Sequence, residues 1–289
     1  MFGSHLSISG GMHNALLEAE RLEMDCVQVF TKNQQQWKVK PLEEEVINNW
    51  KSHCARLNFA HTVSHDSYLI NLASPDDALW QKSIDLFVEE LSRCTILGIP
   101  YLVTHPGAHV GCGEEAGLKR VAQGLDIVHQ RLPLPRGKKS AGTSPITCLE
   151  ITAGQGSCLG HRLEHLATII ELSKDPDRLA VCLDTAHLFA AGYDFRGRKY
   201  AKFIKEIETT VGIDRIKVLH LNDSKKELGS RVDRHDHIGR GQIGLEGFKP
   251  IVRDKRWRNI PKILETPKEK DESGRDWDAV NLETLKGLM

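Results

Sequence analysis

Seven residues of metal-ligating type stand at or just past the ends of short apolar runs: His5, His65, His105, Glu150, Asp184, His220 and Glu265. Thr31 takes the corresponding place after the run that ends at Phe30. One such residue after a strand is unremarkable, since His and Asp often open turns or cap helices. A succession of His, His, Glu, Asp, His and Glu from His65 to Glu265 is a different matter, and it predicts a metal site. Two local pairs extend the set. Asp184-Thr185-Ala186-His187 places an imidazole one helical turn after a strand-end carboxylate, and Asp233-Arg234-His235 forms a loop pair two residues apart. His65, His105, His187, His220 and His235 with Glu150, Asp184, Asp233 and Glu265 are more groups than one ion can use. With one carboxylate bridging, they could hold three ions with open positions for water. Imidazole and carboxylate donors without cysteine suit zinc, with manganese or iron as substitutes. Three divalent ions over four carboxylates leave a charge of about +2, which attracts an anion. Clustered metals acting on an anionic ester are a recurring solution for phosphodiester hydrolysis.

The runs that carry these residues have β-branched, apolar character, at 26–30, 60–64, 101–104, 146–149, 180–183, 216–219 and 261–264, with an eighth between Phe2 and Ile8. Helical patterns lie between them, at 13–24, 42–57, 75–97, 114–131, 162–173, 197–211, 245–254 and 274–288. Such alternation implies parallel strands with crossover helices. A doubly wound sheet would spread the strand-end residues along an edge, whereas a (β/α)8 TIM barrel gathers them on one rim. The barrel is therefore the predicted α/β fold, one domain over residues 1–289 with the metal site at the C-terminal rim of its strands.

Composition sets the limits. The 289 residues hold 39 Lys+Arg against 39 Asp+Glu, so bulk positive charge cannot drive nucleic-acid binding and any such role must be local. No apolar run approaches the roughly 18 residues a membrane span needs, and the first residues lack the layout of a signal peptide. Seven cysteines without a C-x-x-C pair suggest a reduced, cytoplasmic chain. A monomer is adequate for a barrel of this size.

The stretches HDSYLINLAS (65–74), HPGAH (105–109), LEITAGQGS (149–157), LDTAH (183–187), HLNDSK (220–225), GSRVDRHDHIGRGQIG (229–244) and LET (264–266) resemble the endonuclease IV family in order and over nearly the whole chain. These are zinc-dependent apurinic/apyrimidinic endonucleases on a TIM barrel. The resemblance implies one zinc on His65, His105 and Glu150. A second would take Glu150 as a bridge with Asp184, His220 and Glu265, and a third His187, Asp233 and His235. It implies hydrolysis 5′ to an abasic site in double-stranded DNA, leaving a 3′-hydroxyl, and trimming of blocked 3′ ends. Glu150, Asp184 and Glu265 would be central to the chemistry.

DNA handling is expected in rim loops. Residues 31–37, TKNQQQW, resemble the family's loop that enters the minor groove, placing Lys32 and Gln35 at the DNA. Tyr68 and Leu69 match positions that fill the gap where the abasic nucleotide turns out. Arg231, Arg234 and Arg240 are candidates for phosphate contact. Familiar members often carry Arg at the position of Gln35, and Gln lacks the charge and the flat guanidinium. His109 and His237 match no ligand position, and Asn222 and Asp223 either orient ligands or cap a helix. The basic, Pro- and Gly-rich segment 131–145 reads as a loop on the side away from the rim. A metal-dependent sugar isomerase or epimerase on the same barrel is one alternative, but such enzymes usually use one or two ions. A lesion-binding protein without turnover is another.

Overall fold

The computed structural model describes residues 1–59, 61–134 and 144–289. Most of the segment 131–145, and Ala60 at the start of an expected strand, lie outside the described residues. Eight parallel strands close into a barrel. They are β1 (Phe2–His5), β2 (Cys26–Val29), β3 (Thr62–His65), β4 (Tyr101–Thr104), β5 (Ile146–Glu150), β6 (Leu179–Asp184), β7 (Ile216–His220) and, after two short strands described below, β10 (Lys262–Leu264). The seam is the pairing of β1 with β10, Gly3 opposite Ile263. Gly3 is required there, because a Cβ would lie 1.9 Å from the Cys26 carbonyl oxygen of β2.

Helices cover the barrel from outside: α1 (His13–Arg21), α2 (Glu44–Leu57), α3 (Asp77–Leu97), α4 (Glu114–Arg131), α5 (Leu163–Leu172), α6 (Thr185–Ala191), α7 (Tyr200–Thr210), α8 (Leu245–Arg253) and α9 (Trp277–Gly287). Their limits fall where local chemistry puts them. Helix α3 starts two residues later than its periodicity predicts, because the Asp76 carboxylate accepts from Leu79 N at 2.8 Å as the N-cap. It stops at Gly98, which adopts a left-handed φ of 74°. Among the described residues, no helix is long and apolar enough to cross a membrane.

Two side-chain layers fill the barrel, and the period-2 alternation of its strands relates them. The lower layer is apolar: Cys26, Val63, Val103, Cys148, Ala180, Cys182, Val218 and Ile263 pack together out of contact with the outer core. Two residues beyond Cys26, Val63, Val103, Cys148, Cys182, Val218 and Ile263 stand Gln28, His65, His105, Glu150, Asp184, His220 and Glu265. The polar ring at the C-terminal rim therefore rests on a dry floor, and one register specifies both.

Two elements were not foreseen from sequence. Residues 220–236 contain an antiparallel pair, β8 (Asp223–Ser224) with β9 (His235–Asp236), where a plain loop was expected. Helix α6 is a separate short helix between β6 and the expected helix α7. The hairpin loop docks on the end of α6 through Gly229 N to Phe189 O and Arg231 N to Ala190 O, at 3.0 and 2.9 Å.

Candidate metal centre

Glu150, the last residue of β5, is fully buried at the middle of the ring. Its Oε2 faces His65 Nε2 at 3.0 Å and His105 Nε2 at 3.1 Å. Its Oε1 faces His220 Nδ1 at 3.0 Å and His187 Nδ1 at 3.2 Å. Each oxygen thus serves a different set of imidazoles, the arrangement of a bridging carboxylate. Glu265 Oε2 lies 3.2 Å from His220 Nδ1, and Asp184 Oδ2 lies 3.8 Å from the same atom. Asp233 completes the far side, with its two oxygens 3.2 Å from His187 Nε2 and from His235 Nε2. All nine sequence-predicted ligands converge, and three ligand-type groups overlap within them: His65, His105, Glu150; Glu150, Asp184, His220, Glu265; and Asp184, His187, His235.

Local structure explains how. Asp184 is both the end of β6 and the N-cap of α6, its Oδ1 accepting from His187 N at 2.8 Å. That capped turn directs the His187 ring back over the site. The β8–β9 pairing lifts the 233–235 segment over the opposite edge, which a two-residue strand allows and a free loop would not hold. Asn222 tethers the rest: its Nδ2 donates to Asp184 Oδ2 at 2.6 Å, and its Oδ1 accepts from Glu265 N at 2.7 Å. Asn222 thus bonds two of the predicted ligand residues, whereas Asp223 accepts from Gly239, Ile243 and Gly244 N and pins the 239–244 turn.

Four of the five imidazoles use their second nitrogen on a fixed partner. His65 Nδ1 meets Asp66 O at 3.0 Å, His187 Nδ1 meets Ile151 O at 2.9 Å, and His235 Nδ1 meets Glu265 O at 3.3 Å. His220 Nε2 meets Gln28 Oε1 at 2.8 Å. Such outer contacts are what orient metal-ligating histidines. Among the described residues, His235 Nε2 is buried without a hydrogen-bond partner beside Asp184 and Asp233. That atom suits a cation.

The electrostatics agree. Burial disfavours the charged form of these imidazoles, yet the carboxylates outweigh it, carrying His65 and His187 well above the ordinary value and His235 to about 9. Burial likewise disfavours ionised Glu150 and Glu265, but the facing imidazoles, His220 first, hold both well below the carboxylate range. The carboxylates demand positive charge between them. Protons on imidazoles or divalent cations can supply it, and the donor set is one that zinc accepts.

A family profile described as a xylose isomerase-like TIM barrel matches residues 16–286. A probable endonuclease 4 of Chloroflexus aurantiacus is 48% identical over 289 residues, covering all of this chain and 98% of its own. The chain belongs to the endonuclease IV family. A probable endonuclease 4 of Geobacter sulfurreducens is 44% identical over 99% of this chain and 94% of its own. The crystal structure of endonuclease IV from Thermus thermophilus superposes with a TM-score of 0.85 at 33% identity, covering 99% and 98% of the two chains. A D-tagatose 3-epimerase-like protein shares the fold alone, with a TM-score of 0.71 at 17% identity over 99% of this chain.

Within this endonuclease IV fold, two cavities flank the ring, one of about 850 Å³ bordered by His5, Gln35, Arg234 and Glu265, the other of about 520 Å³ by Asn71, His105, Cys158 and His187. Tyr68 borders both and is 67% exposed. Leu69 is half-buried, and Gln35, Arg231 and Arg234 are exposed. Arg231 borders neither cavity. Lys32 differs from expectation: it is buried, with Nζ donating to Asn33 O at 3.0 Å and Gln36 O at 3.1 Å. It shapes the 31–37 loop from within. Thr31 does not reach the ring, because its carbonyl is held by the Arg93 guanidinium of α3.

His109 and His237 stay outside, as expected. His109 Nδ1 accepts from Gly113 N at 3.1 Å, and His237 stacks on Trp277 with ring centres 3.8 Å apart. Two residues at the site went unread in the sequence. Phe30 packs edge-on between His65 and Tyr68. Gln28 lies hidden in the apolar run CVQVF, although its position two residues after Cys26 is the signal that places it in the polar layer.

Proposed function

We infer that this chain is a DNA-repair endonuclease that hydrolyses the phosphodiester 5′ to an abasic site in duplex DNA and leaves a 3′-hydroxyl. The observation that carries the reading is Glu150, whose oxygens face two sets of imidazoles inside a nine-residue ring, in a chain 48% identical to an endonuclease 4 along its full length. Three zinc ions fit the donors. His65, His105 and Glu150 would hold one; Glu150, Asp184, His220 and Glu265 a second; His187, Asp233 and His235 a third. When bound, they supply Lewis acidity, activating water near neutral pH and stabilising charge on the phosphoryl and leaving oxygens.

The chain's own side chains do the rest. The apolar layer beneath the ring keeps water away from below, so solvent and substrate meet the site only from the rim. Tyr68, which borders both cavities, would fill the space vacated by an extruded nucleotide. Gln35 and Trp37 are exposed on the 31–37 loop, where they would meet a DNA groove, and Arg234 borders the cavity where a phosphate would approach. Blocked 3′ ends present the same bond to the same site and are trimmed by the same chemistry.

The test is incision of a duplex with one abasic site, with and without a strong chelator, alongside zinc content. Cleavage 5′ to the lesion that disappears with chelator and returns with zinc is the expected result. Intact duplex under all conditions would overturn the reading.

A further inference from the structure

Gln28 is fully buried on β2, and its neighbour across the β1–β2 register is His5. Its amide nitrogen lies 2.6 Å from Glu265 Oε1 and 3.0 Å from His5 Nδ1, and its amide oxygen lies 2.8 Å from His220 Nε2. We propose that Gln28 is a positioning residue of the metal centre, fixing His220 to ligate through Nδ1 and holding Glu265 in its ligating orientation.

The reasoning is a chain of donor and acceptor requirements. An ionised carboxylate only accepts, so the NH2 side of the amide must face Glu265. The amide oxygen then faces His220, and an oxygen that only accepts requires His220 Nε2 to carry the proton. A neutral imidazole has one lone pair left, here on Nδ1. That atom is 3.0 Å from Glu150 Oε1, 3.2 Å from Glu265 Oε2 and 3.8 Å from Asp184 Oδ2. The Glu265 carboxylate thus selects the tautomer of His220 through an intervening amide. The second amide hydrogen meets His5 Nδ1, so neither end of Gln28 is free to flip.

His220 differs from its neighbours in this dependence. Backbone carbonyls of Asp66, Ile151 and Glu265 hold the second nitrogens of His65, His187 and His235. A side chain holds that of His220. Substitution can therefore remove the outer contact of one ligand set and leave the others in place. Loss of such a partner lowers metal affinity by roughly 10- to 100-fold.

The proposal rests on the metal-centre reading, and the experiment separates the two. The full chain and Gln28→Met, which keeps the side-chain length without hydrogen bonds, are loaded with zinc and titrated with a competing chelator. Both are also labelled with nitrogen-15 histidine for NMR. In the unsubstituted protein, one zinc-bound imidazole should show metal at Nδ1 and a slowly exchanging proton on Nε2. In Gln28→Met, one zinc equivalent should weaken roughly 10- to 100-fold while the others hold, and that proton should exchange rapidly. Unchanged affinity of every equivalent, or equal weakening of all of them, would overturn the proposal. So would metal at Nε2 of every bound histidine in the unsubstituted protein, a readout that does not depend on the variant folding. An unsubstituted protein that takes up no zinc would overturn the metal-centre reading itself, and this proposal with it.

Discussion

Glu150 offers one oxygen to His65 and His105 and the other to His220 and His187, so its charge cannot be replaced by an amide without stranding both sides. Glu150→Gln should lower kcat/KM on an abasic duplex by on the order of 10²–10³ or more, as loss of one charge-stabilising group does. Steady-state incision assays, read with zinc content, check this. Gln35 makes a gentler case. It is exposed at the rim and hydrogen-bonds through its backbone N to Asn33 Oδ1 at 2.9 Å, leaving its side chain toward solvent. Gln35→Arg should tighten binding to abasic DNA by about 0.5–1 kcal/mol through cation–π contact and charge. Its salt dependence should steepen by up to about one unit of slope. Equal affinity of both proteins from low to high salt would refute the role given to Gln35. At this scale six of the nine ring residues were legible because each stands at the end of an apolar run, and His187, Asp233 and His235 because they pair locally with another ligand-type group. Gln28 was not, because an amide between two valines reads as an ordinary strand residue until the layer it belongs to is known. Lys32 misled for the opposite reason, since a lysine in a polar loop gives no sign that its ammonium turns inward.

Six of the eight strands were read to within a residue at each end, because β-branched runs flanked by helical periodicity leave few alternatives, while the first run was drawn three residues too long and the third began two residues early. The β8–β9 pair was not, since two-residue strands carry no periodicity at all. Its existence decides the position of Asp233 and His235, and so an element too short to predict completes the ring. The 31–40 loop depends on an element about 50 residues further along the chain. Arg93 of α3 donates to Thr31 O at 3.1 and 2.5 Å and to Lys40 O at 3.0 Å, clamping both ends. The Ser67 hydroxyl donates to Gln34 O at 2.5 Å near its tip. Arg93→Met should free the loop while sparing the ring. Amide exchange at residues 33–37 should accelerate and affinity for abasic DNA should fall several-fold, with zinc content unchanged. An exchange pattern identical to the unsubstituted protein would show that the clamp is dispensable.

Across the molecule, the balance of 39 basic and 39 acidic residues hides an uneven distribution. Four of the acids belong to the ring, so the rim that would meet DNA is more positive than the total suggests once divalent ions sit over them. Stability has its own pH dependence away from the site. His129 on α4 is buried, neither ring nitrogen has a hydrogen-bond partner among the described residues, and burial, with the Arg178 guanidinium, pushes its pKa from 6.5 down to about 4. The folded state therefore binds fewer protons than the unfolded chain between these values. The neutral ring is fully tolerated above about pH 6.5, and stability is lost as pH falls from there through about 4, on the order of 3 kcal/mol in all. His129→Leu should remove that part of the acid sensitivity, measured as unfolding free energy from about pH 7 to about pH 4. A variant with the unsubstituted slope would exclude His129 as its source. The barrel seam has a consequence for biosynthesis. It joins β1 at the start of the chain to β10 near its end, and Glu265 follows β10 directly. A nascent chain therefore has neither a closed barrel nor the Glu265 carboxylate of the ring until β10 and the residue after it have been made. A copy broken off before β10 would lack the strand that closes the barrel and the carboxylate of Glu265, and so would have no complete ring with which to nick DNA.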